Sequence, residues 1–272
     1  MLSKKHEMIR KLAKEFAENE IAPCAAQIDE TGVYPKELHD KIIACGFHAI
    51  TIPREYGGCG GDTVSATIVT EEFTRVDASA SSQLMPNSLS GGSLMMFGNE
   101  PQKQKYLRAL AEGTMTGAFA ITEPGAGSDT AAITTTAERD GDYYILNGRK
   151  CFITQGPDCD FVTVFAKTDP SAKGVKGISA FIVESAWEGF SRGAVEKKMG
   201  MHGSPACDLI FENVRVPKDN LLGKEGQGFK ICMTTLDSGR ITVATQGLGI
   251  AQGALDEAVK YVKERVQFGR PI

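Results

Sequence analysis

The chain of 272 residues carries 34 acidic and 30 basic side chains, a net charge of −4, and 42% of it is hydrophobic. That balance draws it neither to nucleic acid nor to an anionic membrane, and it leaves ample apolar material for a core. The N-terminus lacks the pattern of a secretory leader, no apolar run reaches the ~18 residues of a membrane span, and seven cysteines form no C-x-x-C pair, so a cytoplasmic chain with reduced thiols and no metal site is expected.

The first third has a helical period. Within residues 4–20, Met8, Ile9, Leu12 and Phe16 share one face, and Pro23 is expected to end or kink that helix. Pro35 can open a second helix with Leu38 and Ile42 inward; Asp62 can cap a third through Val64, Ile68, Val69 and Phe73. Residues 78–97, rich in Ala, Ser, Gly and Met, suit close packing. Asn99 and Gln102 are spaced as a capping box with Pro101 in the first turn, which predicts a helix to about Ala111.

The middle changes period. Strands are predicted at 116–122, 134–138, 143–146, 150–154, 161–167, 178–184 and 206–211, with Arg139-Asp140-Gly141-Asp142 as a hairpin bend. Such spacing predicts an antiparallel sandwich or barrel. From Gln227 the pattern is helical again. A long helix from about Asp237 to Arg265 presents Ile241, Ala244, Leu248, Ala251, Leu255, Ala258 and Val262 as a stripe, which needs a partner. The expected partition is α+β: a helical domain over 1–114, a β-domain over 115–222, and the start of a truncated helical bundle over 223–272.

The most informative stretch is Phe119-Ala120-Ile121-Thr122-Glu123-Pro124-Gly125-Ala126-Gly127-Ser128-Asp129. A glycine-rich loop leaving a strand offers backbone N–H groups to an anion or a polar ring edge, and Thr122 and Ser128 add hydroxyls. On pattern alone, a tight turn between strands is the commoner use of such a loop. Gly247-Leu248-Gly249-Ile250-Ala251-Gln252-Gly253 looks superficially like a dinucleotide-binding glycine pattern, but it lies inside a predicted helix and reads as close helix packing.

The literal string at 120–132 resembles the signature of the acyl-CoA dehydrogenase family. Further similar pieces follow in the family's order: Asn147-Gly148-Arg149-Lys150-Cys151-Phe152-Ile153-Thr154, Lys198-Met199-Gly200-Met201-His202-Gly203-Ser204, Asp219-Asn220-Leu221-Leu222-Gly223, Leu236-Asp237-Ser238-Gly239-Arg240, and Glu264-Arg265-Val266-Gln267-Phe268-Gly269. Ile52-Pro53-Arg54-Glu55-Tyr56-Gly57-Gly58 resembles a family motif near the start. The phrasing around Gly177-Ile178-Ser179-Ala180-Phe181 and Leu236 to Ile241 leans toward short-chain, butyryl-CoA type members.

The resemblance implies a helical domain, a middle β-domain and a C-terminal helical bundle, with FAD between the last two and a homo-oligomer, a dimer of dimers at full length. It implies removal of two hydrogens from an acyl-CoA to give a trans-2-enoyl-CoA, hydride going to flavin N5 and electrons to an electron-transfer flavoprotein. Phe119, Ala120, Ile121, Thr122 and Ser128 would follow the flavin. Phe152, Ile153 and Thr154 would form its second contact strand, with plain core as the alternative for Phe152. Ser128, Asp237 and Arg240 would face the CoA substrate. Arg265 and Phe268 would reach a partner's FAD.

One departure is chemical. Most members carry a base glutamate beyond the position of Ile272, and a minority carry it where this chain has Gly239, which has no side chain for the task. The expectation is therefore a chain weakly active alone; the alternatives are an incompetent fragment, an FAD- or CoA-binding half of a split enzyme, or an oxidase.

Overall fold

The computed structural model describes residues 2–172 and 174–272, the side chains of Met85 and Pro86 excepted. Side-chain caps start the helical layer. Ser3 accepts from the His6 amide ahead of α1 (Lys4–Phe16). Asp62 accepts from the Ser65 amide at 2.9 Å ahead of α4 (Thr63–Thr74). Asn99 and Gln102 form the reciprocal capping box of α6 (Glu100–Gln102). Each supplies an acceptor to an amide that the first helical turn leaves unpaired.

Pro23 does not end the first helix. A π turn at Ala17–Ile21 joins α1 directly to α2 (Ala22–Thr31), and this widening of the backbone ahead of Pro23 accommodates its ring. Pro35 precedes α3 (Lys36–Ala44), whose Leu38 and Ile42 are buried as the sequence predicts. A 3₁₀ turn at Ala78–Gln83 leads into α5 (Met85–Phe97), and a second π turn links α6 to α7 (Arg108–Glu112). Phe16, Phe47 and Phe73 pack pairwise at 5.2–5.5 Å between ring centres and hold α1, α4 and the α3 exit together.

The sheet has eight strands: β1 (Gly117–Ala120), β2 (Thr136–Asp140), β3 (Tyr143–Thr154), β4 (Phe161–Lys167), β5 (Ile178–Glu184), β6 (Phe190–Val195), β7 (Ala206–Pro217) and β8 (Leu221–Leu222). Their order is β6-β7-β3-β2-β4-β5-β8, with β1 added on β4. Most ladders are antiparallel, but β1 runs parallel to β4, Gly117 opposite Phe161. The strand signals at 143–146 and 150–154 belong to one strand.

Residues of β4 and β5 are buried on both faces. Val162, Val164, Phe181 and Val183 point into the fold of the sheet against Leu146, Leu209 and Phe211. Phe161, Phe165, Ala180 and Ile182 point toward the helices, meeting Leu94, Tyr106, Leu107 and Ile231. This alternation is the period-2 consequence of a strand with two apolar neighbours.

α8 (Gly228–Glu264) starts earlier than the apolar stripe suggests, because Gly228, Ile231, Cys232 and Thr235 dock it on the sheet. Farther along it crosses α4. A Cβ on Gly249 would lie 2.1 Å from Thr74 Oγ1, and one on Gly253 would lie 2.0 Å from the Arg75 carbonyl. Two of the pattern's three glycines, Gly249 and Gly253, thus serve close helix packing, while Gly247 faces open space. The stripe itself stays open: Ile241, Leu248, Leu255 and Val262 are all exposed. The short hairpin β9 (Val266–Gln267) and β10 (Arg270–Pro271) follows. Among the described residues, no helix is long and apolar enough to cross a membrane.

Candidate active site

β1 ends at Ala120 and the chain leaves the sheet. Two backbone hydrogen bonds of 3.0 Å, one each way, join Glu123 and Ala126 in a tight turn. Pro124, Gly125, Gly127, Ser128 and Asp129 are exposed, and a Cβ on Gly125 or Gly127 would meet nothing within 4 Å. The loop is therefore an open shelf. Its root is tied to β3, where the Cys151 amide donates to the Thr122 carbonyl at 2.8 Å.

Beneath the shelf lies a buried ion pair that the sequence reading passed over. Lys150 is fully buried, and its Nζ donates to Glu123 Oε1 at 2.8 Å and to the Ile121 carbonyl at 3.2 Å. Glu123 also accepts from both the amide and the hydroxyl of Thr134 and of Thr135. Burial pushes the Glu123 carboxyl up, yet Lys150 and the threonine donors outweigh it and hold it down at about 2. Burial likewise lowers Lys150 to about 8, against the pull of Glu123. Both residues sit inside the quoted motifs; only the contact of β1's exit with β3, 27 positions apart in sequence, reveals them as partners.

Phe152 occupies a bulge. Between the pairs Lys150–Leu209 and Ile153–Cys207 the β3–β7 register slips, so Cys151 and Phe152 together face Asp208. Asp208 is fixed by Arg149 Nε at 2.7 Å. Phe152 takes φ 58°, a left-handed conformation that costs a bulky residue about 1–3 kcal/mol, and its ring is 66% exposed. A ring held in strain and in solvent is not core material. Thr154, half-buried, ends β3 opposite Ala206.

The remaining sequence candidates divide. Ala120, Ile121 and Ile153 are buried, and the Ile121 carbonyl turns inward to Lys150. Phe119 is half-buried and packs on Phe165 at 5.0 Å. Leu236, on α8, packs against the core cluster that also includes Ile121 and Ala126. Its neighbours Asp237 and Arg240 stand 4.0 Å apart with side chains about four-fifths exposed. Gly239 turns toward α5, where a Cβ would come 3.0 Å from Leu89 Cδ2.

Arg265 and Phe268 are not brought to this shelf. At 1.5 Å per residue, Arg265 lies about 40 Å along the helix from Asp237, and Phe268 (φ 54°) stands fully exposed at the tip of the terminal hairpin. A cavity of about 740 Å³ adjoins the end of β3 through Gln155; among the described residues its lining includes none of 119–128.

Sequence models of the acyl-CoA dehydrogenase N-terminal, middle and C-terminal domains match residues 3–114, 118–214 and 226–272. The chain is 53% identical to a 3-(aryl)acrylate reductase of Clostridium sporogenes, over 99% of this chain and 72% of that protein. It is 52% identical to the caffeyl-CoA reductase-Etf complex subunit CarC of Acetobacterium woodii, again over 99% and 72%. It superposes on the butyryl-CoA dehydrogenase from Megasphaera elsdenii with a TM-score of 0.95 at 46% identity, covering 100% of this chain and 72% of that one. An open loop rooted on β3, a bulged strand beside it and three matching domain models in order lead to one statement: the chain belongs to the acyl-CoA dehydrogenase family, oxidoreductases that act on CH–CH bonds.

Proposed function

We propose that the 119–128 shelf and the 152–154 bulge bind FAD, and that the chain serves α,β-dehydrogenation of a short acyl-CoA to its trans-2-enoyl-CoA, with electrons passed to an electron-transfer flavoprotein. The observation that carries this reading is the clip between Thr122 and Cys151, which sets an open loop of amides and hydroxyls beside a strained, exposed aromatic ring and a half-buried threonine. Those residues fit a flat ring with one polar edge: Phe152 covers apolar surface, while Thr122, Thr154 and the loop amides meet polar atoms.

FAD, when bound, supplies the hydride acceptor. The chain's own groups hold it and the substrate. Ser128, Asp237 and Arg240 face the CoA side, and Arg265 and Phe268 reach toward a second copy's cofactor in a homo-oligomer. Gly239 has no side chain, and Asp237 is exposed beside Arg240, so the α-proton goes to a carboxylate that these residues do not supply. Without that base, turnover drops by about a hundred- to ten-thousand-fold, and supplying it in cis or from a second chain restores the rate.

A second reading reverses the reaction. Two of the relatives described above are named reductases, one in a complex with an electron-transfer flavoprotein, which favours reduction of an acrylate-type double bond. One experiment separates the directions. The chain is incubated with FAD, alone and with the C-terminal helices of a relative supplied in trans. Bleaching of bound flavin by butyryl-CoA without oxygen supports dehydrogenation. Reoxidation of dithionite-reduced flavin by crotonyl-CoA, with no bleaching by butyryl-CoA, supports the reductase. Peroxide release in air points to an oxidase. Protein that takes up no FAD under either condition ends both readings.

A further inference from the structure

We infer that Glu123 and Lys150 are a positioning pair that locks the flavin-facing loop to β3, so that the Thr122 and Thr154 ends of the site keep one fixed spacing. The inference rests on the proposed flavin site and adds two residues that do not themselves reach its surface.

The geometry is a splint across three segments. Lys150 belongs to the body of β3. Its Nζ holds the exit of β1 through the Ile121 carbonyl at 3.2 Å and through Glu123 at 2.8 Å. Glu123 in turn holds the approach to β2: Oε2 accepts from the Thr134 amide at 2.6 Å and hydroxyl at 2.8 Å, and Oε1 accepts from the Thr135 amide at 3.0 Å and hydroxyl at 2.5 Å. Both carboxylate oxygens thus receive a backbone N–H. Neither a glutamine nor a protonated acid serves there, because each would turn a donor toward a donor. The site demands an ionised carboxylate, and Lys150 is the charge that lets it be buried.

A buried pair of this kind is a poor device for stability alone, since well-packed apolar residues of similar volume do as well or better. It is a good device for geometry, because six polar contacts converge on two side chains and fix the root of the loop. The two charges lie side by side, so their outward field largely cancels. What the pair delivers to the surface is position. Thr122 follows the residue held by Lys150 Nζ, and its own carbonyl is held by the residue after Lys150.

The test uses the whole chain and three variants. T135A deletes one hydroxyl donor and leaves the ion pair, T135S restores it, and K150M removes the charge and the Ile121 contact. Amide hydrogen exchange over residues 120–128 is measured without flavin, alongside the melting temperature; FAD affinity and the absorption band of bound flavin are measured next. T135A is expected to speed exchange in the loop by about fivefold, consistent with the worth of one hydrogen bond, with β4 and β5 unchanged. It should weaken FAD by a similar factor and shift the flavin band, and T135S should return all three toward native. K150M should exceed T135A in each readout; if K150M does not fold, the T135A and T135S pair decides. A T135A chain whose loop exchanges at the native rate overturns the splint whether or not FAD binds. Native protein that takes up no FAD overturns the flavin reading instead, and the exchange result still judges the pair.

Discussion

The Cys151 amide donates to the Thr122 carbonyl at 2.8 Å, joining the exit of β1 to the residue that precedes a left-handed phenylalanine. Neither residue is distinctive by type; a backbone amide and a carbonyl exist at almost every position. Their pairing matters because β3 bulges at the next residue, so the link fixes the loop at the place where the strand throws a side chain outward.

Phe152→Gly tests whether that outward ring is held for binding. Glycine accepts φ 58° freely, so relief of strain should stabilise the fold by about 1 kcal/mol, with little burial lost from a ring already in solvent. FAD affinity should fall at least about tenfold, the weight of a lost aromatic contact. Thermal melts paired with flavin titrations read both; a variant that melts higher and still binds FAD as tightly would remove Phe152 from the site.

Acid should unfold the chain through Glu123. Its folded value of about 2 lies below the ordinary 4.5, so the stability it adds is complete above pH ~4.5 and is lost as pH falls toward 2. At about 1.4 kcal/mol per unit, the loss is on the order of 3 kcal/mol. The charged partner facing it is Lys150, with the thiols of Cys151 and Cys232 close by. Lys150 has the same sign in a higher window: its folded value of about 8 lies below 10.5, so stability again rises with pH between those values. Urea titrations from pH 6 to pH 2.5 should show the acid loss in native protein. K150M should show a smaller acid-dependent loss over this range, because its carboxyl is no longer held so far below 4.5 by a lysine.

Two glycines two residues apart on α8, on different faces of the helix, should behave oppositely. Gly249→Ala forces a methyl into Thr74 Oγ1 and the Glu71 carbonyl, and should cost about 2–3 kcal/mol. Gly247→Ala meets nothing within 4 Å and should gain about 0.5–1 kcal/mol from helix propensity. Urea midpoints that move the same way in both variants would refute the α4–α8 packing described above.

Thr154→Ala tests the end of β3. Loss of one hydrogen bond to bound flavin should weaken FAD by about tenfold and slow anaerobic bleaching by butyryl-CoA, with melting within a few degrees of native. Unchanged affinity together with an unchanged bleaching rate would leave Thr154 as an ordinary strand residue.

Local chemistry was legible in advance, and contact between distant segments was not. Asp62, Asn99 and Gln102 announce their helices because a cap is decided within four residues. β4 and β5 match their sequence bounds because fully buried strands are continuous apolar runs. β6 went unseen: Phe190 to Val195 lies at the sheet edge, mostly exposed, without alternation. The helical pattern from Gln227 is legible, but it places the long helix only from about Asp237, because Gly228 and Thr235 are buried by close approach to the sheet rather than by apolar bulk. At the site, the loop and the 147–154 strand are visible as strings. The left-handed turn at Phe152 depends on β7, and the tie between Glu123 and Lys150 on β1 reaching β3, so neither is written in any one segment.

The notch that Gly249 and Gly253 open against α4 also governs leverage. From Gly253 to Arg265 the helix runs on for about 18 Å at 1.5 Å per residue, so a tilt of only ~4° at the notch would swing the far end by more than an ångström. Aim at the tip, where Arg265 and Phe268 stand, is thus set by two missing methyl groups at the fulcrum.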